Sequence, residues 1–296
     1  MAFASTLACS HRSCNEMETQ VRIINAEDMN DQYCSIPTNL LEVNLGDQVR
    51  IRCKTFVAVY TVKWLTNDEG SFVRLNGTKR LGIKEIEEPV LSYIQGPCVV
   101  HPLQLSPEEA RAKSEFTEKI SINGTKLLCI APHGGDIDLK TDLQTIRLVE
   151  KLPEMSFWMC QGYRKGGGAF TAWHTTSNDI SPNSFPCLQE ISKHKFDICI
   201  SFHGMQNGGI LIGGGASNDL KLKLKYHLEK LVYDENVEVR ISTLQDSYNG
   251  LSKRNVCNWL TKGGMDGIQL EQDRYVRNVY WKEVTDAVYA FLMDVA

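Results

Sequence analysis

No C-x-x-C pair occurs among the 10 cysteines of this 296-residue chain, so neither a zinc ribbon nor a thioredoxin-type redox motif is offered. No apolar segment reaches the roughly 18 residues that a membrane-spanning helix needs. Neither sign of charge dominates: 32 Lys and Arg stand against 36 Asp and Glu, a net −4. The chain therefore lacks the basic footprint of a nucleic-acid binder, and no nucleic acid or membrane partner is expected. The opening MAFASTLACSHRSCNEMETQ has no basic region ahead of its short apolar piece, which argues against a signal peptide. G-x-G-x-x-G and Walker patterns are absent too, so no nucleotide cofactor is expected. Cys129, Cys160 and Cys199 sit in apolar runs, where free cysteine behaves as a small hydrophobe. The expectation is a cytoplasmic chain, with secretion left open.

What is present has the texture of an ordinary globular protein, 42% hydrophobic and 23% charged. Residues 1–40 are weakly patterned and read as a lead-in. Residues 41–98 carry short β-type runs, Asp47–Cys53 and Phe56–Leu65 among them, and read as a small antiparallel β unit. Ser106-Pro107-Glu108-Glu109 has the form of a capping box, predicting a helix that runs to about Ile120. From Leu127 onward apolar strands and helices alternate. Strands are predicted over 127–132, 156–161, 196–202, 208–212, 237–242 and 266–271; helices over 141–151, 184–193, 218–232, 253–261 and 279–294. That alternation predicts an α/β fold over residues 99–296: an open mixed, mostly parallel sheet with helices on both faces.

The chain is organised around Lys126–Asp142, KLLCIAPHGGDIDLKTD. An apolar strand, predicted to end at Pro132, is followed at once by His133, two glycines, and the carboxylates Asp136 and Asp138. A second apolar strand, within Phe196–Met205, ends in His203-Gly204. Two strands that each deliver a histidine followed by glycine can point both imidazoles into one crevice, and with a carboxylate they suit a divalent metal such as zinc. On spacing alone Asp136 competes with Asp138 for the carboxylate position. Further on, Gly263–Glu271 runs from a glycine turn to Gln-Leu-Glu, placing Glu271 at a strand end as a candidate general base. Trp173-His174-Thr175-Thr176-Ser177 follows the glycine run after Lys165, so His174 is a candidate third imidazole or hydrogen-bonder. Ile212–Asn218 is a strand-glycine-helix junction, able in principle to cradle an anion but better read as a tight turn with a capped helix.

Taken in order, HGGDID after a strand, WHTTSNDISPNSFP, SFHG before a glycine-rich strand, and GGMDGIQLE with a following arginine resemble the poly-γ-glutamate hydrolase family of phages and bacteria. Longer members also resemble the N-terminal LGDQVRIR and RLG segments, so the likeness covers most of residues 40–296. It implies a zinc carboxypeptidase-like fold, and Zn2+ held by His133, Asp138 and His203, which replaces the spacing preference for Asp136. The family acid is usually glutamate, and Asp138 is one methylene shorter. Glu271 is implied as general base, taking a proton from water that attacks an amide carbonyl. Lys165, Arg254, Asn255 and Arg274 are candidates to hold substrate carboxylates, which guanidinium recognises bidentately. The partner so implied is a γ-glutamyl polymer or peptide. Two other functions stay open here: a non-catalytic γ-glutamyl or peptide-binding module, and a zinc amidohydrolase acting on another N-acyl amino acid or peptide.

Overall fold

The computed structural model describes residues 18–295, apart from 27, 68–69, 77–79, 84–87, 102 and 104. In chain order the elements begin with β1 (Thr19–Asn25), β2 (Tyr33–Pro37), β3 (Gln48–Cys53), β4 (Phe56–Thr66), β5 (Phe72–Leu75) and β6 (Val90–Gln95). There follow α1 (Pro107–Lys113), β7 (Phe116–Ser121), β8 (Leu127–Gly135), α2 (Thr141–Lys151), β9 (Ser156–Gly162), α3 (Ala169–Trp173) and α4 (Pro186–Ile191). The chain closes with β10 (Ile198–Gly204), β11 (Ile210–Gly213), α5 (Asn218–Leu231), β12 (Val239–Ile241), α6 (Val256–Trp259), β13 (Gly267–Gln272), α7 (Arg274–Val279) and α8 (Trp281–Val295). Two compact units result. Among the described residues, one comprises 118–161 with 190–295, and the other 18–117 with 162–189. Among the described residues no helix is long and apolar enough to cross a membrane.

In the N-terminal unit β1 to β6 close into a barrel in the order β1-β5-β2-β4-β3-β6. This corrects the expected small antiparallel unit in two ways. The pairs β1–β5 and β2–β4 are parallel, and β1 and β2 come from the stretch read as a lead-in. The signal was local alternation: Val21 and Ile23 enter the barrel core while Arg22 between them is exposed, and Cys34 and Ile36 point inward too. In the same unit the buried Arg80 guanidinium donates to the carbonyls of Val59, Thr171 (2.5 Å) and His174 (2.8 Å), tying barrel strand β4 to the 162–189 segment.

The capping box forms as expected, with Ser106 Oγ accepting from the Glu109 N–H and the Glu109 carboxylate accepting from the Ser106 N–H. The helix does not reach Ile120, however. It stops at Lys113 because Ser114 turns into the left-handed region (φ 58°), and the alternating FTEKIS that follows forms strand β7.

The other sheet has seven strands in the order β12-β11-β13-β10-β8-β9-β7. It is mixed: β8–β10, β10–β13 and β11–β12 run parallel, and β11–β13 antiparallel. On one face Leu127, Cys129, Ile200, Phe202, Ile268 and Leu270 share a core with α2, α5 and α8. Side chains alternate along a strand. Ser201, His203, Gln269 and Glu271, which interleave with those apolar residues, therefore stand on the opposite face. Strand β8 does not end at Pro132. Its register with β10 stops at Ile130 opposite Ser201, while the strand itself continues to Gly135. A proline lacks only its own donor, so it removes one rung without ending the strand.

The glycine run 213–215 is packed rather than open. Gly214 N–H donates to Asn249 O, Gly215 N–H to Asn258 Oδ1 and Ala216 N–H to Gly267 O. With these donors committed, the junction is a tight turn and not an anion cradle. A Cβ on Gly214 (φ +93°) would lie 2.2 Å from the Gly267 carbonyl, whereas one on Gly264 (φ +72°) meets nothing within 4 Å. Gly264→Ala should therefore cost only the left-handed term, about 1–2 kcal/mol, and Gly214→Ala that term plus an overpacking cost of about 1–3 kcal/mol. Urea unfolding of the two variants checks the difference, and equal losses would contradict it.

Candidate metal and catalytic site

Parallel neighbours β8 and β10 each carry an imidazole beyond the point where their shared ladder stops. His133 and His203 are both buried, and their Nδ1 atoms face one another at 3.1 Å. The turn after β8 brings the chain back, with the Asp138 N–H donating to His133 O (2.7 Å). This sets Asp138 Oδ2 3.4 Å from His133 Nδ1. The same oxygen accepts from the Gly204 N–H at 3.0 Å. One donor atom from each of His133, Asp138 and His203 lies within 4.8 Å of the other two, and all three residues are buried. Asp136, half-exposed on the turn, is not part of this group.

The donor set fits a divalent ion. Burial, with the nearby His133 second, holds the His203 imidazole well below the usual histidine range, so it is neutral at pH 7. Its Nε2 lies 2.6 Å from Ser201 Oγ; with Nε2–H donating to that hydroxyl, Nδ1 is the nitrogen that would offer its lone pair to a metal. Two imidazole nitrogens and one carboxylate oxygen form a common set for zinc that keeps a coordination position open.

Glu271 stands directly opposite His203 in the parallel β10–β13 register. It is buried, and its carboxyl is pushed well above the usual range by burial first and by the Asp138 charge second; Arg277 and a hydrogen bond from Gln269 act the other way. Gln269 Nε2 donates to Glu271 Oε1 at 2.8 Å. Arg277, three residues after Arg274, is buried. Its guanidinium donates to Gln272 O and Leu139 O, both at 3.1 Å. It also lies against Gly204, where any Cβ would fall 2.6 Å from its Cζ. The glycine after His203 is thus the space that the guanidinium fills. Burial lowers the Arg277 pKa from its ordinary value, while Asp138 and Glu271 counteract this by favouring the cation.

The remaining candidates are placed differently. Arg254 and Arg274 are exposed in the unit that holds the histidines. Asn255 is buried, and both ends of its amide are engaged: Oδ1 accepts from Cys257 N–H (3.1 Å) and Nδ2 donates to Gln269 Oε1 (2.7 Å). Lys165 and His174 belong to the other unit. Lys165 is exposed there. His174 is half-buried, stacks on Phe170 at 4.3 Å between centroids, and gives its carbonyl to Arg80. Among the described residues Cys34, Cys53, Cys129, Cys160, Cys187, Cys199 and Cys257 are free and buried.

Comparison with known proteins first gives the class, a hydrolase. Residues 104–289 match the model of the family described as poly-gamma-glutamate hydrolase, and the chain belongs to that family. Among solved structures it is similar to a bacteriophage poly-gamma-glutamate hydrolase, at 20% identity over 61% of this chain and 89% of that one, TM-score 0.47. A structure described as zinc-free YndL is 21% identical over 64% of this chain and 96% of its own, TM-score 0.47. Murine aminoacylase 3 is 10% identical over 58% of this chain and 66% of its own, TM-score 0.34. No curated protein matches the chain.

The geometry separates the two aspartates. Asp138→Asn should lose divalent metal on dialysis because it removes one of three converging donors, and Asp136→Asn should retain it. Metal content by elemental analysis checks this; retention by Asp138→Asn with loss from Asp136→Asn would reverse the assignment.

Proposed function

We propose that the chain is a zinc-dependent amide hydrolase that cleaves γ-glutamyl linkages, with Glu271 as general base. The observation that carries this reading is the register of β10 and β13, which sets a buried carboxylate opposite one of three converging donor residues. His133, Asp138 and His203 would hold the ion. When bound, zinc supplies Lewis-acid polarisation of a carbonyl and acidifies water to a pKa of about 7. A bound cation beside Glu271 opposes the effect of burial and favours the carboxylate, the form that accepts a proton. Glu271 then takes the proton of the attacking water at one carboxylate oxygen and returns it to the departing nitrogen.

Family membership supports a γ-glutamyl polymer or peptide as substrate. Such a chain offers one carboxylate per residue. The exposed Arg254 and Arg274 are the cations of this unit that we assign to those carboxylates, since guanidinium pairs with them bidentately. In a protein of net charge −4, binding a polyanion requires positive charge that is local rather than global.

The test is Glu271→Gln, which preserves shape and a hydrogen-bonding oxygen but removes the proton acceptor. The variant should hold zinc and bind γ-glutamyl oligomers as the wild type does, and turn over about 10²- to 10⁴-fold more slowly. Zinc content and polymer-shortening rates measure the two halves separately. A Glu271→Gln protein that cleaves at the wild-type rate would remove Glu271 from the chemistry.

A further inference from the structure

The structure assigns Asn255 and Gln269 to a hydrogen-bond relay that positions Glu271, rather than to substrate. This inference rests on the reading of Glu271 as general base. Gln269 precedes Glu271 by two residues on β13, so both side chains leave the same face of the strand. A glutamine amide in such a place has two possible orientations: its NH2 stabilises a carboxylate, and its oxygen repels one. The surroundings choose between them.

The choice begins at the N-cap of α6. The Cys257 N–H can only donate, and it bonds Asn255 Oδ1 at 3.1 Å. With its oxygen so engaged, Asn255 turns Nδ2 toward Gln269 and donates to Oε1 at 2.7 Å. Gln269 is left with Nε2 facing Glu271 Oε1, at 2.8 Å. A second constraint agrees: Nε2 also faces the Tyr248 carbonyl at 3.3 Å, which accepts and cannot donate. The polarity of one backbone amide is thus passed through two side-chain amides to the carboxylate. All three side chains are buried, so water does not compete for these bonds. One oxygen of Glu271 is fixed by Gln269, and in the general-base reading the other takes the proton. Asn255 and Gln269 are positioning residues; neither has an end of its amide left over for a ligand.

Asn255→Asp tests this in zinc-loaded protein with poly-γ-glutamate as substrate. Aspartate keeps the N-cap acceptor but presents Gln269 with an oxygen in place of the NH2. Gln269 must then turn its own NH2 away from Glu271, or leave two oxygens opposed. A hydrogen bond to a charged group contributes enough that its loss should lower kcat about tenfold to a hundredfold, with KM unchanged. Gln269→Met, similar in length and without a donor, should show the same loss and decides the matter if Asn255→Asp does not fold. In a Glu271→Gln background neither substitution should slow turnover further, because there is no carboxylate left to position. A raised KM at unchanged kcat would return Asn255 to substrate binding and overturn the relay. So would wild-type kcat in both variants, or a full additional loss on top of Glu271→Gln. If Glu271→Gln alone is as fast as wild type, the general-base reading fails and the relay's role fails with it. If Glu271→Gln is slow while Asn255→Asp and Gln269→Met are normal, only the relay fails.

Discussion

The site depends on two buried imidazole nitrogens being held 3.1 Å apart at the ends of adjacent parallel strands. Burial first, and His133 beside it second, hold His203 neutral, while its Nε2 meets Ser201 and its Nδ1 faces His133. Two imidazole nitrogens and a carboxylate oxygen this close together make a donor set that suits a cation. Much of the surrounding structure serves that approach. The β8–β10 ladder stops two residues before Pro132, the turn after Gly135 returns Asp138 to His133, and Gly204 leaves room for the Arg277 guanidinium behind both.

Much of this was legible in the residues themselves. Histidine and glycine at the ends of two apolar runs mark the pair, and the capping box at Ser106 forms with Glu109, the partner its spacing names. The choice between Asp136 and Asp138 was not readable from spacing. It depends on the path of a turn, in which the Asp138 N–H bonds back to His133 O. A good N-cap says where a helix starts and nothing about where it stops, so the pattern alone carries α1 across β7; the stop lies in the backbone angle of Ser114. The barrel was under-read for a different reason. Its parallel pairs β1–β5 and β2–β4 join strands that are distant in sequence, so no hairpin turn announces them.

Arg277 and Asn255 show the limit most clearly. An arginine after a strand is ordinarily a solvated or ligand-facing cation, and Arg274 fits that description. Arg277 lies three residues on, one helical turn round α7 from its Asp273 cap, and is carried inward against Gly204. Asn255 beside Arg254 invites a joint assignment to substrate, yet the cap of α6 turns it inward while its neighbour stays exposed. Neighbouring residues with matching chemistry on paper thus have opposite environments, and the difference comes from the caps of helices only four and six residues long. The glycine run 213–215 belongs to the same inner layer. Its turn packs on 248–250 and 265–269, the segments that supply the Tyr248 carbonyl and Gln269 itself.

The central claim, metal-dependent cleavage of γ-glutamyl chains at the His133, Asp138 and His203 cluster, is tested most directly by polymer length on chelated and zinc-restored wild-type protein. Zinc-loaded protein should shorten poly-γ-glutamate, chelation to the metal-free state should stop it, and one zinc per chain should restore it. Cleavage that continues unchanged in demonstrably metal-free protein, or no cleavage with one zinc bound per chain, would contradict the account.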